Sequence, residues 1–137
     1  MALMALDVGE RRIGIAVSES GILATPYSVL HRKSKKEDFA RLRRLMAELK
    51  VERVIVGLPY SLSGREQIGP QARRIKRYAE ALGKTIPIPI EYIDESYSTV
   101  DAEEFLQTSG QKRIPIDAAA AAVILQNYLN KVKANNA

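Results

Sequence analysis

The stretch "LMALDVGERRIGIAVS", residues 3–18, governs how the rest of the chain is read. Leu3 to Leu6 form a continuous apolar run, the pattern of a strand covered on both faces. Ile13, Ile15 and Val17 alternate with small residues and predict a second strand, with "VGERR" as the connecting turn. The anomaly is Asp7. A carboxylate closing a buried strand is costly unless something neutralises it. Asp7 either opens a turn, as an aspartate near a glycine commonly does, or belongs to a site. Gly9 and Gly14 carry the same ambiguity. Glycine lets backbone approach a phosphate closely, but Gly9 also suits a turn with positive φ, and Gly14 a crowded strand. Arg11 and Arg12 could meet a phosphate backbone, or one of them could pair locally with an acid.

Outward from this stretch, residues 22–30 read as a third strand, interrupted at Pro26 and so near an edge or bulged. From Lys35 to Lys50 the period becomes helical, with Phe39, Leu42, Met46 and Leu49 on one stripe. "RVIVGLP" (53–59) predicts a short buried strand. A second helix carries Ile68, Ala72, Ile75, Ala79 and Leu82 on its apolar face. "IPIEYI" (88–93) predicts the fifth strand, "STVDAEEFLQ" (98–107) a short helix, and Ile116 to about Val132 the last helix. Three strands in series, then helices alternating with strands, imply an α/β fold with a mixed sheet.

Two further acids answer Asp7. Glu95 follows the fifth strand in "IEYIDESYST", and Asp117 opens the last helix in "RIPIDAAAAAVILQNYL". Ligand sites in α/β sheets form beyond the carboxyl ends of strands. If strands one and five are parallel neighbours, Asp7 and Glu95 emerge on one edge. Asp117 shares a helical face with Ala121, Ile124, Leu125, Tyr128 and Val132, so it points where the helix meets the sheet. Three clustered acids suit one or two hard divalent cations, Mg²⁺ or Mn²⁺, which take carboxylate, water and phosphate oxygens. A pair of such ions can activate water and stabilise the leaving oxygen in phosphodiester cleavage. Each acid also has an ordinary reading. Glu95 could be solvated ahead of a capping box at Ser98 and Asp101, and Asp117 could complement a helix dipole.

Composition narrows the chemistry. The chain has no cysteine, which excludes a disulfide framework, a thiolate zinc site and a Cys nucleophile, and its single histidine, His31, argues against a triad-type base and a multi-histidine metal site. His31 reads as a strand-end surface residue. At 137 residues the expectation is a single domain spanning 1–137. No apolar run approaches a membrane span and no signal-peptide pattern opens the chain, so a cytoplasmic protein without a membrane partner is expected. The net charge of +5 is compatible with a nucleic-acid partner. The polar face of the second helix carries Arg73, Arg74, Lys76 and Arg77, either as a solvated face or as a surface that holds RNA or DNA. Tyr60, Tyr78 and Tyr97 could stack on bases, or sit half-buried with the hydroxyl outward.

"ALDVGERRIGIAVS" resembles the first motif of the YqgF family, also called RuvX, small relatives of the Holliday junction resolvase RuvC. "VIVGLP" followed by Gly64, "DESYST", and "DAAAAAVILQNYL" recur in the family's order, covering Leu3 to about Leu129. The resemblance implies an RNase H-like fold, a five-stranded mixed sheet flanked by helices. It also implies a metal-dependent nuclease with Asp7, Glu95 and Asp117 as catalytic and metal-binding acids, and places Arg11 and Arg12 in the loop after the first. Bacterial members are associated with trimming the 5′ end of precursor small-subunit ribosomal RNA. The implied partner is that RNA or the pre-ribosome, or else a DNA four-way junction cut by a dimer; a non-catalytic nucleic-acid-binding module is the third alternative. Monomer and homodimer both stay open. Three departures bear on substrate. Ser96 stands where an arginine is usual, and Ser61 and Ser63 replace Asn and Asp. Pro115 replaces a lysine, leaving Lys112 and Arg113 slightly further back as the nearby cations.

Overall fold

A computed structural model describes residues 2–59, 69–94 and 114–135. Its strands are β1 (Ala2–Val8), β2 (Arg12–Ser18), β3 (Thr25–His31), β4 (Val51–Leu58) and β5 (Ile90–Asp94). Its helices are α1 (Lys35–Glu48), α2 (Pro70–Gly83) and α3 (Ile116–Asn135). The strands form one sheet in the order β3-β2-β1-β4-β5. β2 is antiparallel to β1 and β3, whereas β1, β4 and β5 run parallel. The mixed five-stranded sheet is therefore as expected, with the apolar "LMAL" run on its central strand. One detail differs. β1 and β5 are parallel but not neighbours, because β4 lies between them. Their carboxyl ends still share an edge, about 10 Å apart at the usual strand spacing.

Alternation splits the sheet into two cores. Met4, Leu6, Val8, Ile13, Ile15, Val54 and Val56 face α1 and α2, where they meet Phe39, Leu42, Ile75 and Leu82. Leu3, Ala5, Ala16 and Ile55 face α3, where they meet Ala121, Ile124 and Leu125. The small residues of "DAAAAAV" let α3 lie close to the sheet. Gly14 is where this approach is tightest: a Cβ there would fall 1.9 Å from the Asp117 carbonyl oxygen. The crowded-strand reading of Gly14 is the one realised, and the crowding comes from a helix a hundred residues later. Val132, expected on the sheet-facing stripe, is instead exposed near the end of α3.

β3 is both an edge strand and bulged. The register slips between Ile15, opposite Ser28, and Ala16, opposite Pro26, so Tyr27 is the extra residue. It begins at Thr25 rather than residue 22, because Ile22 to Ala24 are taken up by the loop that α3 holds. The Gln126 side chain accepts from the Ala24 amide at 2.9 Å and donates to the Ile22 carbonyl at 3.1 Å. α1 opens with a side-chain cap: Ser34 Oγ accepts from the Glu37 amide at 3.1 Å and donates to the Glu37 carboxylate at 3.4 Å. It stops short of Lys50, which sits at φ 55° and turns the chain into β4.

Three elements are tied together behind α1 by one buried acid. Asp38 is 1% exposed and its carboxylate meets Arg41 at 3.1 Å, the Lys33 amide at 2.9 Å and the Tyr78 hydroxyl at 3.1 Å. The Arg32 guanidinium stands 3.9 Å from the same carboxylate and 4.3 Å over the Tyr78 ring. Tyr78 is thus a core residue rather than a base-stacking one, its hydroxyl donating inward to Asp38. Burial, reinforced by that carboxylate, holds its phenol proton well above the ordinary tyrosine range. Ile68 and the expected helix at 98–107 lie outside the described residues.

Candidate active site

Asp7 is the penultimate residue of the central strand and points to the α3 side, as Leu3 and Ala5 do. Its register partner is Gly14, and directly paired residues share a face. The Gly14 position in turn abuts the backbone of Asp117. Asp7 and Asp117 therefore stand on one face, a strand apart, at the carboxyl edge of β1. Both are partly exposed, and Asp117 is in the first turn of α3, where a carboxylate also complements the helix dipole. The two acids converge through a strand-to-glycine pairing and a helix seated on that glycine.

Arg12 opens β2 on the same face and its Nε lies 3.1 Å from Asp117 Oδ2. Of the two readings left open for the arginine pair, local pairing with an acid is what Arg12 does. Arg11 is exposed at the turn, and its carbonyl accepts from the Arg32 amide at 2.8 Å. Gly9 does not need a positive φ; Gly21 is the one glycine with such a φ among the described residues. Gly9 is required by space, since a Cβ would meet the Arg12 carbonyl oxygen at 2.8 Å where the Gly9 amide bonds it. The turn is held from below as well, by Arg32 donating to the Gly9 carbonyl at 2.7 Å.

Glu95, Lys112, Arg113, Ser61, Ser63, Ser96, Gly64, Tyr60, Tyr97, Ser98 and Asp101 lie outside the described residues. β5 ends at Asp94, directly before Glu95, on the edge shared with Asp7. Among the described residues no group of three acids or histidines could hold a metal; the pair Asp7 and Asp117 is what is there. His31 is exposed at the end of β3, as expected.

The second-helix cations separate. Arg74 and Arg77 line a cavity of about 360 Å³ between α2 and the β1–β2 turn. Lys76 stands 5.9 Å over the Tyr92 ring. Arg73 is exposed and does not line the cavity. Arg32 and Lys35 also line it, and neither residue stands out in the sequence. The signal that could have found them is their position around the Ser34 cap, where β3 hands over to α1.

A mixed sheet in this order, with acids gathered beside the end of its central strand, defines an RNase H-like α/β fold. Solved structures agree. Thermus thermophilus RuvC bound to a Holliday junction superposes with a TM-score of 0.62 at 15% identity, over 97% of this chain and 96% of that one. The fowlpox virus resolvase in complex with Holliday junction DNA gives 0.58 at 8% identity, over 96% and 99%.

The family model for RuvX, described as Holliday junction resolvase, matches residues 1–131, and the chain belongs to that family. A Thermosynechococcus vestitus protein named "Putative pre-16S rRNA nuclease" is 41% identical over 95% of this chain and 88% of its own length. A Chloroflexus aurantiacus protein of the same name is 38% identical over 97% and 89%.

Proposed function

We propose that this chain is a metal-dependent nuclease that processes the 5′ end of precursor small-subunit ribosomal RNA. The observation that carries the reading is the convergence of Asp7 and Asp117 on one face beside the central strand, in a RuvX-family chain. Glu95 is the third acid of the proposal, because it directly follows the end of β5 on the shared edge.

The donor chemistry fits a hard divalent cation. Both described acids are oxygen donors with access to water, and the chain has no cysteine to offer a thiolate. Asp7, Asp117 and Glu95 would hold Mg²⁺ or Mn²⁺, which when bound supplies an activated water and charge stabilisation for phosphodiester hydrolysis. The chain's own residues supply the rest. Gly14 fixes how far α3 approaches, and so where Asp117 stands. The Gly9 turn brings backbone to the edge where a phosphate would lie. Arg12, already beside Asp117, offers a guanidinium to the phosphate oxygens once the carboxylate has another cation.

The test is cleavage of a 5′-extended precursor of the small-subunit RNA beside a synthetic four-way DNA junction, with Mn²⁺ or with chelator. Wild type should cleave the RNA only with metal, and Asp7→Asn should lose cleavage while unfolding at the wild-type temperature. Full activity of Asp7→Asn, or cleavage that survives chelation, overturns the proposal. Cleavage of the junction in preference to the RNA favours the second reading, which the family description supports: a resolvase, acting as a dimer so that two sites face opposing strands.

Among the described residues no helix is long and apolar enough to cross a membrane.

A further inference from the structure

The cavity between α2 and the β1–β2 turn sits on the sheet face opposite to Asp117. Val8 and Ile75 give it an apolar floor, and its wall carries four cations, Arg32, Lys35, Arg74 and Arg77, against one acid, Glu10. Glu10 is 85% exposed and 3.7 Å from Arg74, a pair that solvent screens. Asp38 does not settle the remainder, since Arg41 already occupies it at 3.1 Å and Arg32 stands at 3.9 Å. Lys35 and Arg77 have no ion pair among the described residues. Like charges gathered on a concave wall repel one another, and an anion in the concavity relieves that repulsion. A volume of about 360 Å³ is at the small end of ligand pockets.

We infer that this cavity is a second phosphate-binding subsite, holding a nucleotide of the same nucleic-acid strand whose scissile phosphate lies at Asp7 and Asp117. The inference rests on the nuclease reading and adds where the flanking strand goes. Position argues for a strand rather than a free small anion. Gly9 and Glu10 form the cavity's rim above Val8, and all three directly follow Asp7 in the chain. Carboxylates and cations thus lie on either side of one short turn, and a polyanion crossing that turn reaches both. The phosphate would meet Lys35, Arg74 and Arg77, while sugar and base lie against Val8 and Ile75. Arg32 has a different part. Its bond to the Gly9 carbonyl and its place over Tyr78 make it the strut that keeps the rim and the wall together.

Arg73 provides the control, being one residue from Arg74, equally charged, exposed, and outside the cavity. The experiment is fluorescence anisotropy of a labelled single-stranded RNA with chelator present, so that binding is read without cleavage. Arg74→Ala/Arg77→Ala on one helix, and Lys35→Ala on the other, should each weaken binding, the double variant about tenfold or more. The slope of log affinity against log salt should fall by about 0.7 for each phosphate that the variant no longer neutralises. Arg73→Ala should change affinity less than about twofold, as expected of a charge that does not touch the strand. A double variant indistinguishable from Arg73→Ala overturns the inference, because the effect is then net charge alone. So does tight binding of adenosine monophosphate that depends on Lys35 and Arg77 while RNA affinity does not, which would make the cavity a free-nucleotide site. Because no cleavage is measured, failure here is separable from failure of Asp7→Asn to abolish the reaction.

Discussion

At Gly14 a single hydrogen in place of a methyl group decides where Asp117, an acid of the proposed site, can stand. An alanine there would put its Cβ 1.9 Å from a backbone oxygen, which no rotamer change relieves. We predict that Gly14→Ala costs at least about 3 kcal/mol, at or beyond the usual range for overpacking. Thermal unfolding should fall by on the order of 10 °C. Arg12→Ala is predicted to behave oppositely. The Arg12–Asp117 pair is partly open to solvent, so removing it should change stability by only about 1 kcal/mol in a denaturant titration. Under the proposed function, cleavage of the RNA should nevertheless slow, because the guanidinium beside Asp117 is gone. At this scale the sequence was informative about Asp7 and Asp117, since a strand end and a helical phase are local patterns. It was silent about why position 14 is glycine, since the clash partner is a carbonyl at position 117. Gly9 misled for a related reason: a glycine in a turn suggests its dihedral freedom, whereas here the constraint is the Arg12 oxygen opposite it.

Among the elements, the junction of β3, α1 and α2 depends on Asp38, a carboxylate with no place in the apolar stripe read from Phe39, Leu42 and Met46. Asp38→Ala should destabilise by about 3 kcal/mol, the low end for breaking a buried pair because Arg32 and Arg41 both reach water. Tyr78→Phe removes one hydrogen bond to a charged acceptor and should cost about 1.5–3 kcal/mol. Its pH dependence carries a distinct signature. The Tyr78 proton is held more tightly folded than unfolded, so that contribution is complete below the unfolded tyrosine pKa, near 10.0. Above it the unfolded state loses the proton first, and stability falls as pH rises. Chemical unfolding measured across alkaline pH should therefore show a steeper loss for wild type than for Tyr78→Phe. The described elements were legible from periodicity, and so was the edge or bulge at Pro26. The buried network was not, because the Tyr78 hydroxyl that completes it lies 40 residues from Asp38.

At the scale of the molecule, the described residues pack an apolar core on either side of the sheet from apolar side chains. Under the proposed function chelation should abolish cleavage, and these cores should keep the fold intact, its thermal midpoint shifting only by the linkage of whatever metal had been bound. Circular dichroism melts with and without chelator check this. The class of fold followed from counting strands and helices, but the place of β4 between β1 and β5 did not, because strand order is a long-range choice. One consequence of the bulged border strand concerns how the molecule keeps to itself. A sheet's outermost strand offers a row of backbone partners to any neighbour, and β3 is such a strand. Pro26 withholds one donor from that row and the slip at Tyr27 breaks its rhythm. A second molecule approaching this border finds no straight ladder to extend. The bulge and the proline together guard this border against stacking into aggregates in a crowded cell.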